Sequence, residues 1–197
     1  MTIESSTDAA KQQPSETEFG FWLYLMSDAI LFGLLFATFV VMAQNTAGGP
    51  SGSDLFSLSN LSIETALLLT STLTIALGHQ ATVQKKTQMA ILWIVLTCVL
   101  GGSFVLLEVT ELFGMIQKGA GPERSGFLSA FFTLVGTHGL HVTAGILWAL
   151  TMIVQLIFKG PTQAVTSRLL RLTLFWHFLD IVWIGVFSVV YLPGVMG

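Results

Sequence analysis

Apolar residues in this chain gather into long unbroken runs, without the strict alternation of a half-buried strand. Five runs stand out, at about 19–43, 61–83, 89–112, 126–158 and 170–193. Each is long enough to cross a hydrocarbon core about 30 Å thick as an α-helix, which needs about 20 residues. The separators are polar. Gln44–Asn60 holds Asn45, Gly48, Gly49, Pro50 and Asp54, a loop by composition. Gln84–Gln88 is a short turn around Lys85 and Lys86, Gly114–Arg124 contains Gly119, Gly121 and Pro122, and Lys159-Gly160-Pro161 closes the fourth run. That fourth run would be roughly 50 Å long as a helix, so it is expected to tilt or to project into water at its basic end. The pattern therefore predicts an all-α integral membrane protein, a bundle of five transmembrane helices over 19–197 behind a polar tail at 1–18.

Charge changes this picture in two ways. Charged residues make up 10% of the chain, too few to cover a soluble surface, which excludes a soluble enzyme and a nucleic-acid binder. Five of them (Glu4, Asp8, Lys11, Glu16 and Glu18) sit in the tail, leaving the helices almost bare. The basic residues also give an orientation. Lys11, Lys85, Lys86, Lys159, Arg168 and Arg171 share one side, whereas Lys118 and Arg124 lie on the other. The positive-inside rule then places the N-terminus in the cytoplasm and the C-terminus outside, in the periplasm. The opening is polar and slightly acidic, unlike a secretory signal, so the first run is expected to be a retained helix. A single cysteine, Cys98, lies within an apolar run and has no partner for an intrachain disulfide.

Each helix carries a stripe of small or polar residues at three-to-four spacing. These are Glu64, Leu67, Ser71, Thr74 and Gly78 in the second helix, and Thr97, Gly101, Phe104, Glu108 and Glu111 in the third. The fourth offers Gly126, Ala130, Thr133, Thr137, His141 and Ala144; the fifth offers Thr173, His177, Asp180, Ile184 and Phe187. The first has Ser27, Asp28 and Gly33. Such stripes let membrane helices approach closely and bond across the contact, and simple bundle packing accounts for most of them. Ionisable residues at membrane depth are costly and mark functional positions by default. Asp28 lies roughly 14 Å deep from the cytoplasmic side, and His177 and Asp180 roughly 10–15 Å. His138 and His141 are one turn apart near the middle of their helix. Together, Asp28, His138, His141, His177 and Asp180 are expected to form a buried polar cluster, either a proton-linked or headgroup site or a network that fixes helix register. Glu64, Glu108 and Glu111 lie nearer the external ends and are expected to meet interfacial water.

The residue inventory argues against redox chemistry in the chain itself. Four histidines cannot supply a haem with two axial ligands and a copper site as well, and one i,i+3 pair is weak for a metal. No phosphate loop or dinucleotide fingerprint occurs.

Three segments resemble subunit III of the haem–copper respiratory oxidases: Gly20-Phe-Trp-Leu-Tyr-Leu-Met-Ser-Asp-Ala-Ile-Leu-Phe32, Gly136-Thr-His-Gly-Leu-His-Val-Thr-Ala-Gly145 and Trp176-His-Phe-Leu-Asp-Ile-Val-Trp183. The run Gly121-Pro-Glu-Arg-Ser-Gly-Phe-Leu-Ser-Ala-Phe-Phe132 adds to the match, and the segments follow the family's order outside the tail. Within the family the chain looks most like the five-helix members found in bacterial bo-type ubiquinol oxidases. Longer members have two more N-terminal helices, and Glu where Asp28 stands. The resemblance implies a non-catalytic subunit of a proton-pumping enzyme that oxidises ubiquinol and reduces oxygen to water. It implies no cofactor in this chain, with haem and copper in subunit I. The implied partners are subunit I chiefly, subunits II and IV, and phospholipid, in a bacterial inner membrane. The alternatives are subunit III of a cytochrome c oxidase and a self-standing small transporter; against the transporter, no internal repeat is visible.

Overall fold

The computed structural model describes residues 16–50 and 58–196, all of the regular structure among them helical. The helices are α1 (Glu16–Met42), α2 (Leu58–Val83), α3 (Thr87–Gln117), α4 (Gly126–Lys159) and α5 (Gln163–Val186). A π-helical turn at Phe187–Tyr191 and a short helix α6 (Leu192–Met196) are the last described elements. Five helices are long and apolar enough to cross a membrane, the last running from α5 through the π turn. Of the polar tail expected at 1–18, residues 1–15 lie outside the described residues, and Glu16–Glu18 already belong to α1.

The helix ends follow from local chemistry. Ser125 precedes α4 in an extended conformation, and its Oγ accepts from Leu128 N at 3.2 Å. Thr162 does the same for α5 through Val165 N. Each satisfies one of the amide groups that a helix start leaves without a partner. This cap is why α5 begins at Gln163 instead of near residue 170: the polar stretch before that point, with Arg168, reads as loop in the sequence, yet it forms the first turns of the helix. Gly160, at φ +67°, ends α4 with its N–H on Leu156 O.

Helices α2, α3, α4 and α5 close a four-helix ring in which sequential neighbours pack antiparallel and α5 returns to α2. Helix α1 lies outside that ring, in the groove between α4 and α5. Accordingly α1 leaves Trp22, Met26, Ile30, Leu34 and Val41 exposed, whereas α5 is the most buried helix. Between helices in lipid the drive is close packing and a few polar bonds. Thr74 and Thr97 hydroxyls meet at 2.8 Å across α2 and α3. Trp176 Nε1 donates to Ser71 Oγ at 2.9 Å, and Trp183 Nε1 to Thr65 Oγ1 at 3.1 Å, tying α5 to α2. The Trp176 indole fills a slot between Gly101 of α3 and Gly145 of α4, where an added Cβ on either glycine would lie 2.9 Å from the ring.

The stripes expected on α2 and α3 face the ring interior: Glu64, Ser71, Thr74 and Gly78 are buried, as are Thr97, Gly101, Phe104 and Glu108. Those on α4 and α5 do so only in part, with Ala130, Thr173 and Asp180 buried. On α4 the buried face is Phe131, Val135, His138, Val142, Gly145, Ala149 and Met152, leaving Thr133 and Ala144 exposed. On α5 it is Leu172, Phe175, Trp176, Leu179, Trp183 and Val186, leaving His177 and Ile184 exposed. The physical reason is that the interior of this bundle is filled by large rings. Small residues line a shallower contact with α1 instead, where Gly126, Ala130 and Thr133 border a cavity of about 220 Å3 with Leu35 and Thr38.

Candidate functional site

The ionisable side chains separate into distinct environments. Between α1 and α4, Asp28 Oδ2 faces His141 Nε2 at 3.7 Å. The other ring nitrogen, Nδ1, lies 2.8 Å from Thr137 O one turn back, so Nδ1 carries the hydrogen and Nε2 is presented to the carboxylate. Tyr24, one turn earlier on α1, brings its phenol within reach of Asp28. The Phe32 ring covers His141 at 5.1 Å. The result is a carboxylate–imidazole pair held by one backbone carbonyl, with a phenol beside it.

His138, one turn from His141, is enclosed on the other side of Phe32. Its ring stacks on Trp183 at 5.3 Å and meets Phe104 and Phe32 edge-on at 5.8 and 6.4 Å. It is fully buried, and neither nitrogen has a hydrogen-bond partner among the described residues. His177 Nδ1 bonds Thr173 O at 2.7 Å, and the residue is exposed. It lines an apolar groove of about 350 Å3 with Trp22, Met26 and Phe178. Asp180 is buried beside Thr72 of α2. Among the described residues, no ion pair or hydrogen bond links His177 or Asp180 to Asp28. The five residues read from the sequence as one cluster thus stand as a pair, a boxed histidine and two residues turned elsewhere.

The three glutamates sit together at the Lys118 end of the bundle. The Glu64 and Glu111 carboxyls come within hydrogen-bonding reach of each other, and both lie within electrostatic reach of Glu108. Glu64 is 1% exposed and Glu108 3%, so these two are not laid open at an interface as the sequence suggests. Glu64 and Glu111 line a cavity of about 340 Å3 together with Asn60, Thr110 and Lys118. Sequence reasoning missed this convergence and the approach of Tyr191. A signal was available for the first. Folding α2 back on α3 about Lys85 and Lys86 sets Thr74 against Thr97, and the same reflection sets Glu64 level with Glu108. For Tyr191 there was none, because it is the wider π turn that rotates Val190 and Tyr191 into the interior. Tyr191 lies near all three carboxyls and packs edge-on against Phe131 at 5.8 Å. Among the described residues no group of three or more His, Cys, Asp or Glu is placed to hold a metal ion.

A family profile described as cytochrome c oxidase subunit III matches residues 4–195. The chain is 49% identical over 189 residues to cytochrome bo(3) ubiquinol oxidase subunit 3 of Pseudomonas aeruginosa, covering 96% of this chain and 90% of that one. It is 38% identical over 196 residues to quinol oxidase subunit 3 of Bacillus subtilis, covering 98% and 96%. It is 41% identical over 181 residues to cytochrome c oxidase subunit 3 of Bacillus sp. strain PS3, covering 90% and 86%.

Proposed function

The chain belongs to the cytochrome c oxidase subunit III family, and from that premise we propose that it is the non-catalytic third subunit of a haem–copper ubiquinol oxidase. The complex oxidises ubiquinol, reduces oxygen to water and pumps protons. Haem and copper reside in subunit I, and this chain assembles with subunits I, II and IV and holds phospholipid. Likeness along nearly the whole chain to a bo(3) ubiquinol oxidase subunit 3 is the observation that carries the reading. The fold agrees with it. A ring filled by Trp176, Trp183 and Phe104 is a rigid scaffold, and α1 offers a broad apolar face to lipid or to a partner. Charge asymmetry supports a cytoplasmic N-terminus and an external C-terminus in a bacterial inner membrane, with 1–18 a separate polar segment before the membrane domain 19–197.

Within this reading Asp28 and His141 pair between α1 and α4 and fix the seating of α1 on the ring. Asp180 with Thr72, and His138 in its aromatic box, fix the register of α5 against α2 and of α4 within the ring. Glu64, Glu108 and Glu111 lie apart from these contacts. Purification through a tag on this chain tests the proposal. A haem-containing partner and ubiquinol-dependent oxygen uptake are expected in the same fraction. Oxygen uptake driven by reduced cytochrome c alone would replace ubiquinol as donor, and a colourless solitary protein would overturn the assignment.

A further inference from the structure

Glu64, Glu108 and Glu111 lie apart from the Asp28–His141 pair and from Asp180, and their chemistry points elsewhere. A carboxylate only accepts hydrogen bonds. The Glu64 and Glu111 carboxyls nevertheless face one cavity within hydrogen-bonding reach of each other, and a bond between them needs one hydrogen. The second oxygen of Glu64, Oε2, has no hydrogen-bond partner among the described residues, although the residue is 1% exposed and lines the cavity shared with Glu111 and Lys118. Glu108 lies beside this pair with neither oxygen bonded among the described residues. Its carboxyl presses on α4 at Gly139, where an added Cβ would lie 2.7 Å from Oε2. Around the cluster, α2 brings Glu64, α3 brings Glu108, Glu111 and, past its end, Lys118, and the π turn brings Tyr191. Helix α4 brings Gly139, whose neighbour His138 turns its ring to Trp183. Lys118 is the one cation lining the cavity among the described residues.

We propose that Glu64, Glu108 and Glu111 form a proton-binding site that exchanges with water through the cavity at the Lys118 end of the bundle. A proton taken from cavity water settles between the Glu64 and Glu111 carboxyls; no other bond forms or breaks, and the return step gives the proton back to water. Glu108 and Tyr191 close the inner side. The inference needs only the bundle and does not depend on the electron donor.

Infrared difference spectroscopy tests it on the protein as purified, with the subunits that accompany it. At neutral pH, wild type minus Glu64→Gln and wild type minus Glu111→Gln should each show loss of a protonated-carboxyl C=O band. The band should shift when water is exchanged for D2O. Either amide leaves one carboxylate that takes its hydrogen bond from the new N–H, so the shared proton is no longer held. Thr110→Ala, which alters only the cavity wall, should keep the band. Difference spectra showing loss of carboxylate stretches alone would overturn the proposal, because both groups would then be ionised. Should neither glutamine variant assemble, the wild-type spectrum decides: absence of any C=O band that shifts in D2O refutes the site.

Discussion

Gly145→Ala tests the packing on which the ring depends. The added methyl would lie 2.9 and 3.1 Å from two carbons of the Trp176 ring and 3.3 Å from Phe175. The ring has little room to yield. Gly101 holds its opposite edge, where a Cβ would also lie 2.9 Å away, and Nε1 is tied to Ser71. Overpacking of this kind costs about 1–3 kcal/mol. Placing phenylalanine at Trp176 shortens the ring and removes the Ser71 bond, which costs in its own right. In the double variant, however, the smaller ring makes room for the methyl. Gly145→Ala should therefore cost less in a Trp176→Phe background, with a coupling of about 1–2 kcal/mol. Equilibrium unfolding in mixed detergent micelles, followed by tryptophan fluorescence and by circular dichroism, reads both singles and the double. A Gly145→Ala variant as stable as wild type, or strictly additive costs, would refute the slot.

Other outcomes follow from the same contacts. His138→Phe should leave stability unchanged or raise it, since both ring nitrogens lack partners and burying an unbonded polar group is unfavourable; a loss above about 2 kcal/mol in the same unfolding assay would show that the imidazole is bonded. Asp28→Asn should leave the initial oxidase rate near wild type and shorten the working life over sustained turnover, because the α1–α4 pair seats α1; loss of haem on this substitution would contradict that role. In a Cys98→Ala background, Lys118→Cys should react with a membrane-impermeant maleimide from outside intact spheroplasts. Lys86→Cys should react only after permeabilisation, and the reverse pattern would invert the orientation.

The number of helices and most of their limits were legible because lipid imposes a length and a composition that no other constraint relaxes. The inner stripes of α2 and α3 were legible too, since those helices form a hairpin and show one side to the interior. The inner faces of α4 and α5 were not. Both contact three neighbours, and there the slot for Trp176 and the box around His138 determine which side turns inward. Depth alone suggested that Asp28, His138, His141, His177 and Asp180 meet; depth ignores the angle around each helix, and His177 ends on the side opposite the ring interior. The π turn that brings in Tyr191 has no marker in its sequence, Phe-Ser-Val-Val-Tyr.

In the proposed role this chain supports a redox machine without carrying its chemistry. Removing the chain from the purified oxidase, and then measuring haem content and ubiquinol-dependent oxygen uptake from the first turnovers onward, tests it most directly. Full haem content and a near-normal initial rate that decays sooner than in the intact complex are expected. Immediate loss of haem or of the initial rate would contradict it.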